Sequence, residues 1–273
     1  MNRALCYAAL PFALVLTGCP KEKELTAAEA QESLQQASAS SQAESLAAAS
    51  VDIATNFTIG GAVENAASDL RAFVTSQLPC AELTLEGATL TVEYGVHGGS
   101  CVYRGHTFSG TSAITVSKNA LDEVVVDHVW TKLSDGVVEL DGTAHVIWNG
   151  SEQTRHVLHD VAWTHLASGR TGKGSGDRTQ KPLAGGVAEG IQIDGSRTWS
   201  GPRGSWDLAI DGVQMRWSDP VPQAGRYSLG TPFDKSVAMS FSRVDEDTIQ
   251  VTVAGPKRQF SFSVSKAGAI AQN

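Results

Sequence analysis

Histidine side chains are the first candidates for chemistry in this chain, because imidazole is both a metal ligand and a general base. The sequence contains seven histidines, and the densest group is His156, His159 and His165. On a strand, residues three apart point to opposite faces, and we expect His159 to fall in a turn. The chain has no H-E-x-x-H pattern and no thiolate close to this group. We therefore predict surface or half-buried histidines, with no metal site and no cofactor.

Serine nucleophiles and paired carboxylates are the next candidates. No serine stands in a G-x-S-x-G elbow. Most acidic residues fall at turn positions, where aspartate is favoured for backbone reasons; Asp127, inside a predicted strand, is an exception. Glycoside hydrolysis needs two carboxyl groups roughly 5–10 Å apart, a separation in space that one sequence does not provide. We assign no catalytic residues, although a triad assembled by the fold stays open.

A glycine-rich segment, Ser168–Gly176, invites a phosphate-loop interpretation. That motif requires Gly at position 167, where the chain has Ala167, and Ser or Thr after Lys173, where it has Gly174. We therefore predict a mobile hairpin loop. Its basic residues could still bind an anionic partner, and they are Arg170, Lys173 and Arg178.

The six tryptophans are the most informative functional signal. All fall in or beside predicted strands, and they are Trp130, Trp148, Trp163, Trp199, Trp206 and Trp217. One interpretation is that they fill the core of a broad sheet, since aromatic rings bury large areas and favour strands. The other is a row of exposed rings that stacks on sugars or lines a hydrophobic groove. The core interpretation is favoured, and the six indoles remain candidate ligand-binding aromatics.

The N-terminus has the pattern of a signal peptide. Arg3 is followed by an apolar run from Ala4 to Leu16, which is too short for a membrane span. The run ends in Leu16-Thr17-Gly18-Cys19, which resembles the lipobox of bacterial lipoproteins. An ordinary signal peptide with a chance cysteine is the alternative. We predict cleavage after residue 18 and acylation of Cys19, which would anchor the protein in a membrane.

Two of the remaining cysteines can form a disulfide. Cys6 would be removed with the signal peptide, which leaves Cys80 and Cys101 in a compartment where disulfides persist. Their spacing is too long for a C-x-x-C redox or metal motif. We predict a structural bond that closes the chain between them.

Residues 19–53 are expected to be a lipidated, polar tether. They contain no aromatic residue, and Ala, Ser, Gln and Glu dominate. Thr26 and Glu29 match a capping box that would open a helix. Apolar heptads are absent, which disfavours a coiled coil, so we expect a spacer that is helical in part or disordered.

Residues 54–273 are expected to form one all-β domain. A short amphipathic helix is predicted near 62–78 from apolar residues at helical spacing. Alternation then predicts strand after strand, as at Leu90–Tyr94 and Thr248–Val253, with turns at Asp-Gly and Asn-Gly pairs. Short connections favour an antiparallel meander that forms a sandwich or a wide curved sheet.

A faint internal duplication supports this architecture. Val138–Thr143 resembles Ile191–Ser196, and each copy contains an Asp-Gly pair and is followed by a tryptophan. The glycine in each copy is expected to kink or bulge a long strand and so to curve the sheet. Further turns are expected at Asp160 and Asp211.

These features together resemble a group of exported, β-rich bacterial lipoproteins. The resemblance rests on the lipobox, the Ala/Ser-rich segment, Tyr94-Gly95 with Gly99-Ser100-Cys101, and the Trp-bearing strands. It implies an all-β domain at the cell envelope, and it carries no activity or catalytic residues. Pro20, in place of an aspartate, favours the outer over the inner membrane.

The formal net charge of −8, without basic clusters, makes the chain a poor electrostatic partner for nucleic acid, and we expect no such partner. The leading hypothesis is a non-enzymatic envelope protein that binds a protein partner or a glycan. The alternative is a carrier of lipid or another hydrophobic ligand on a Trp-rich sheet face, and a hydrolase is the third hypothesis.

Overall fold

The computed structural model describes residues 23–55, 63–121 and 123–273. The predicted signal peptide and the lipidated Cys19 lie outside the described residues. Neither helix in the described part of the chain combines the length and the apolar character that a membrane span requires.

In the described part of the chain, fourteen strands form one antiparallel sheet. Each strand pairs with the next one along the chain, except that a small separate hairpin lies between β2 and β5 in the sequence. The first strands are β1 Glu82–Glu86, β2 Thr89–Tyr94, the hairpin β3 Val102–Tyr103 and β4 His106–Thr107, β5 Ser109–Lys118, β6 Val124–Ser134, β7 Val138–Asn149 and β8 Thr154–His165. The others are β9 Arg170–Leu183, β10 Gly186–Gly201, β11 Gly204–Arg216, β12 Ala224–Gly230, β13 Ser236–Arg243, β14 Thr248–Gly255, β15 Arg258–Ser265 and β16 Ile270–Gln272. The predicted all-β antiparallel class is confirmed, as a single wide curved sheet.

The first helix, α1 Ala27–Ala54, lies inside the curve of this sheet. It packs against β6–β9 and also against β13 and β14, so strands from both halves of the sheet surround it. Every residue from Ala43 to Ala54 is buried, which means that no face of this half of the helix meets solvent. The predicted capping box at Thr26 and Glu29 is confirmed.

The structure therefore differs from the predicted spacer: a helix is present, but it is packed into the core. An Ala- and Ser-rich helix is narrow enough to fit within a sheet that surrounds it. Several of its polar side chains bond to the sheet, as where the Trp130 indole donates to Ser50 Oγ at 2.9 Å. A helix that is covered by protein on all sides has no face turned to solvent. The sequence of α1 therefore lacks the alternation of apolar and polar faces that usually identifies a packed helix.

The second helix, α2 Val63–Gln77, confirms the helix predicted near 62–78. It packs on β1, β2 and β5 and buries Leu70 and Val74. The predicted disulfide is also confirmed, because Cys80 and Cys101 are bonded with their Cα atoms 5.4 Å apart. It ties the end of α2 to the start of the small hairpin.

The glycine-rich segment is a strand rather than the mobile loop predicted for it. β9 begins at Arg170, and Gly172, Gly174 and Gly176 alternate on its inward side. A Cβ atom on Gly172 would lie 2.5 Å from the Trp163 ring, and one on Gly176 would lie 2.8 Å from His159 Nε2. The glycines therefore make room for large side chains inside the sheet.

Turn predictions based on aspartate are correct at Asp135-Gly136 but wrong at Asp160 and Asp211, which lie within β8 and β11. Both aspartates lie on the exposed face of a long strand. The preference of aspartate for turns is a local signal, and here the pairing of the whole strand outweighs it. The predicted kink inside β10 is confirmed, since the pairing of β10 with β11 shifts register at Gly195.

Candidate functional site

All six tryptophans, the candidate ligand-binding aromatics of the sequence, are buried in the structure. Their exposed fractions are 2 % for Trp130, 7 % for Trp148, 5 % for Trp163, 4 % for Trp199, 1 % for Trp206 and 6 % for Trp217. They form no exposed row; Trp199 and Trp206, for example, stack on each other with ring centroids 6.0 Å apart. The indoles therefore fill the core, where burial of their large apolar area stabilises the fold.

Buried charges between α1 and the sheet are the most unusual feature of the interior. Glu44, in the middle of α1, forms an ion pair with Arg178 of β9. Arg197 of β10 and His159 of β8 each approach the same carboxylate to 3.8 Å. All four side chains are at most 6 % exposed, so buried charged contacts link α1 to the three neighbouring strands β8, β9 and β10.

His159 is neutral in this cluster. Its Nδ1 accepts a hydrogen bond from the Arg178 guanidinium, which has only donors to offer. Burial, reinforced by the charge of Arg197, lowers the pKa of His159 to about 4. The prediction of a turn at His159 is thus wrong: the residue points inward from a strand, and His156 points outward to Asp177, as the spacing predicted.

A second buried carboxylate, Asp52, lies two turns further along α1. It accepts a hydrogen bond from Tyr103 Oη at 3.0 Å and one from Arg104 Nε at 2.8 Å. Arg155, which is fully buried, lies 3.6 Å from its other oxygen. Gln180 links the two clusters, because its Oε1 accepts from Arg155 at 2.7 Å and its Nε2 donates to Glu44 at 3.4 Å.

Ser45, His106 and Asp135 form an arrangement with the connectivity of a catalytic triad. Ser45 Oγ lies 3.1 Å from His106 Nε2, and His106 Nδ1 lies 2.7 Å from Asp135 Oδ2. Burial opposes ionisation of Asp135, but hydrogen bonds from His106 and from backbone N–H groups outweigh it and lower the pKa of this carboxyl. The Asp135 carboxylate can therefore hold the His106 imidazole in one orientation.

Other features of this triad differ from those of a serine nucleophile. Ser45 lies in the middle of α1, so its backbone N–H is used within the helix and cannot form an oxyanion hole. Ser45 is 3 % exposed and His106 is 7 % exposed, which leaves no room for a substrate at the hydroxyl. The Ser45 hydroxyl also lies within reach of the Trp217 carbonyl, at 3.4 Å.

A polar groove of about 540 Å³ runs along the N-terminal half of α1. One wall is α1, and the others are the β8–β9 turn, the β10–β11 turn and the start of β16. Its lining is rich in amide, hydroxyl, imidazole and guanidinium groups, from Gln35, Gln36, Ser38, Gln42, His165, Ser168, Arg170, Thr171 and Arg203. We call this site the α1 groove.

Two arginines of the α1 groove share one carboxylate. Arg170 binds Glu32 through two parallel hydrogen bonds of 2.7 and 3.1 Å, and Arg203 reaches the same side chain at 2.7 Å. Burial opposes ionisation of Glu32, but the hydrogen bond from Arg170 contributes most to a net lowering of its pKa. Arg203 remains 64 % exposed, so its remaining donors face solvent.

The basic residues predicted for the glycine-rich segment are separated by the alternation of β9. Arg170 lies in the α1 groove, Lys173 points to solvent and Arg178 points into the interior.

Among residues 23–55, 63–121 and 123–273, no three His, Cys, Asp or Glu side chains are grouped so that they could hold a metal ion. Comparisons of the chain with models of protein families, with curated proteins and with solved structures find no match.

Proposed function

We propose that this chain is a non-catalytic binding protein of the bacterial cell envelope, anchored by lipid on Cys19, and that its α1 groove binds an acidic glycan. The observation that carries the proposal is the groove, about 540 Å³ in volume, in which two guanidinium groups face a single carboxylate. Sites of this size accept ligands of a few sugar units.

Charge favours a carboxylate-bearing ligand. The two positive charges of Arg170 and Arg203 face the single negative charge of Glu32, so the groove carries one net positive charge. The chain as a whole has a formal net charge of −8. An exposed guanidinium binds a carboxylate through two parallel hydrogen bonds. The free donors of Arg203 are therefore the expected contact for a uronic acid.

Hydrogen-bonding capacity favours a sugar over an apolar peptide. The side chains of Gln35, Ser168 and Thr171 offer donors and acceptors, whereas apolar lining is confined to Ala39, Pro202 and Ile270. Because the tryptophans are buried, the sugar would be held by hydrogen bonds and charge rather than by stacking on an indole.

The predicted anchor would hold the domain close to the membrane. Leu25 is fully buried, and its N–H lies 3.5 Å from the Pro256 carbonyl, so the folded domain begins by that residue. Residues 20–24 could span at most ~18 Å when extended. The α1 groove, at the N-terminal half of α1, would then face ligands near the membrane surface.

The test is calorimetric titration of the full chain in detergent with a trimer of galacturonic acid, with maltotriose as the neutral sugar. We expect saturable binding of the acidic trimer, weakened about tenfold or more by Arg203→Gln. Arg258→Gln is the matched control, because Arg258 is also exposed and paired with one carboxylate, Glu24, outside the groove. Equal heats for both sugars, or equal effects of both variants, would overturn the proposal.

A serine hydrolase is the second candidate: the connectivity of Ser45, His106 and Asp135 favours it, and the burial of Ser45 and His106 opposes it. A fluorophosphonate probe distinguishes the two functions. Covalent labelling that is lost in Ser45→Ala would favour the hydrolase, whereas an unlabelled Ser45 is expected for a binding protein.

We do not propose the hydrophobic carrier. The concave side of the sheet, where a lipid would lie, is occupied by α1, and the interior cavity beside it measures about 20 Å³.

A further inference from the structure

A small cavity lies in the interior beside the Glu44 cluster, separate from the α1 groove. It measures about 20 Å³ and is lined by Ser40 and Glu44 of α1, by His159 and Trp163 of β8, and by Arg197 and Trp199 of β10, among others. A space of this size holds one water molecule or one monatomic ion. Sulfate, phosphate and carboxylate-bearing ligands are too large for it.

Several buried donors at this place lack an acceptor. Arg197 Nε and Trp199 Nε1 have no hydrogen-bond partner among the described residues, and the same is true of Arg178 Nε beside them. All three side chains belong to residues that are at most 4 % exposed. Guanidinium and indole nitrogens only donate, so neither group can satisfy the other. Arg197 and Trp199 both line the cavity, so one acceptor inside it would satisfy Arg197 Nε and Trp199 Nε1 together.

The cluster also carries an uncompensated positive charge. Among the described residues, Arg178 and Arg197 face one carboxylate, Glu44, while His159 is neutral. Burial lowers the pKa of both arginines, but a guanidinium remains protonated in proteins.

The neighbouring cluster supplies no spare negative charge, because Asp52 is shared by Arg104 and Arg155. An unpaired buried charge is costly. The rings of Trp199 and Tyr227, 5.8 and 5.6 Å from the Arg197 guanidinium, reduce this cost without neutralising the charge.

We infer that the cavity is a binding site for a monatomic halide, chloride under ordinary conditions, held by the N–H groups of Arg197 and Trp199. The anion supplies the missing acceptor and the missing negative charge. It would act as a structural ligand that completes the contact between α1 and the strands β8–β10.

Anion exchange at constant ionic strength tests the site on the full chain. Chloride or bromide is compared with gluconate, which is too large to enter. We expect the melting temperature to rise with halide and to saturate, by ~5 °C when the chloride concentration is about 100 times the dissociation constant. Equal melting temperatures in chloride and gluconate would overturn the inference.

Two variants locate the effect. Trp199→Phe removes the indole N–H and keeps a ring, so the halide dependence should weaken or vanish. Trp206→Phe is the matched control, because Trp206 stacks on Trp199 but does not line the cavity, and it should retain the dependence. Equal dependence in both variants would place the anion elsewhere and contradict the inference.

A bromide-soaked crystal of the unmodified protein makes the test independent of variant stability. An anomalous peak beside Arg197 and Trp199 is expected. Water alone at this position, or bromide at surface sites only, would overturn the inference.

Discussion

Glu44 of α1 is paired with Arg178 of β9 inside the curved sheet, where neither side chain is more than 3 % exposed. This pair joins a helix with a weakly apolar sequence to the middle of a strand. It shows that α1 is an internal element of the domain, held by specific contacts as well as by apolar packing.

Replacing Glu44 with Gln should destabilise the fold strongly. The change leaves Arg178 and Arg197 buried without a carboxylate, and removing one partner of a buried pair costs ~3–5 kcal/mol of unfolding free energy. Urea denaturation measures the change. Glu24→Gln is the control, since Glu24 pairs with Arg258 at the surface, where a pair contributes at most ~1 kcal/mol. Similar losses in both variants would contradict the assigned role of Glu44.

A chain that begins after α1 should fail to fold cooperatively. Deletion of residues 1–55 removes Leu34, Leu46 and Ile53 from the core and leaves inward-facing arginines without carboxylates. Near-ultraviolet circular dichroism of residues 56–273 should lack the tryptophan signals of the full chain. A sharp thermal transition with native signals would show instead that the sheet is stable alone.

Gly174→Ala should be destabilising by ~1–3 kcal/mol or more. A Cβ atom at this position would collide with the carbonyl of Thr198 in the backbone of the neighbouring strand, which cannot move alone. Gly98→Ala is the control, because no atom of the described residues lies within 4 Å of the added Cβ and its φ is outside the left-handed region. Chemical denaturation of both variants tests this, and a neutral Gly174→Ala would show that β9 and β10 are further apart.

His159 should make stability depend on pH. Its folded pKa is about 4, below the ordinary value of 6.5, so the unfolded chain binds more protons between these values. The stability contribution is complete above about pH 6.5 and is lost as pH falls toward 4, by ~3 kcal/mol in total. His159→Gln, which keeps an acceptor for Arg178, should flatten this part of the curve. A variant with the same slope as the parent would contradict a buried neutral imidazole.

The predicted anchor is tested by fractionation. Cys19→Ser should move the protein from the membrane to the soluble fraction and abolish incorporation of labelled palmitate. Unchanged membrane association would remove the anchor from the proposed function.

Local patterns were sufficient for most elements of the fold. Alternating strands such as Thr248–Gly255, the helix Val63–Gln77 and the Cys80–Cys101 bond follow from periodicity, spacing and compartment. The position of α1 does not, because the usual signal for a core helix is an apolar face, and a helix surrounded by a sheet needs none.

One feature of the sequence indicates the buried charged cluster between α1 and the sheet. Arg155 is in phase with Val157 and Val161 of β8, and Arg197 is in phase with Trp199 of β10, so both arginines fall on inward positions. Inward arginines indicate carboxylates from another element, although they do not identify Glu44 and Asp52. The α1 groove is built from four segments distant in sequence, and only the three-dimensional arrangement brings them together.

Hydrogen exchange of the full chain tests the central structural claim most directly, namely that α1 is enclosed by the sheet. The amides of Ala43–Ala54 should exchange as slowly as those of the central strands β8 and β9, through global unfolding. Exchange of these amides within seconds, while the strands stay protected, would contradict the enclosed helix and restore the polar spacer.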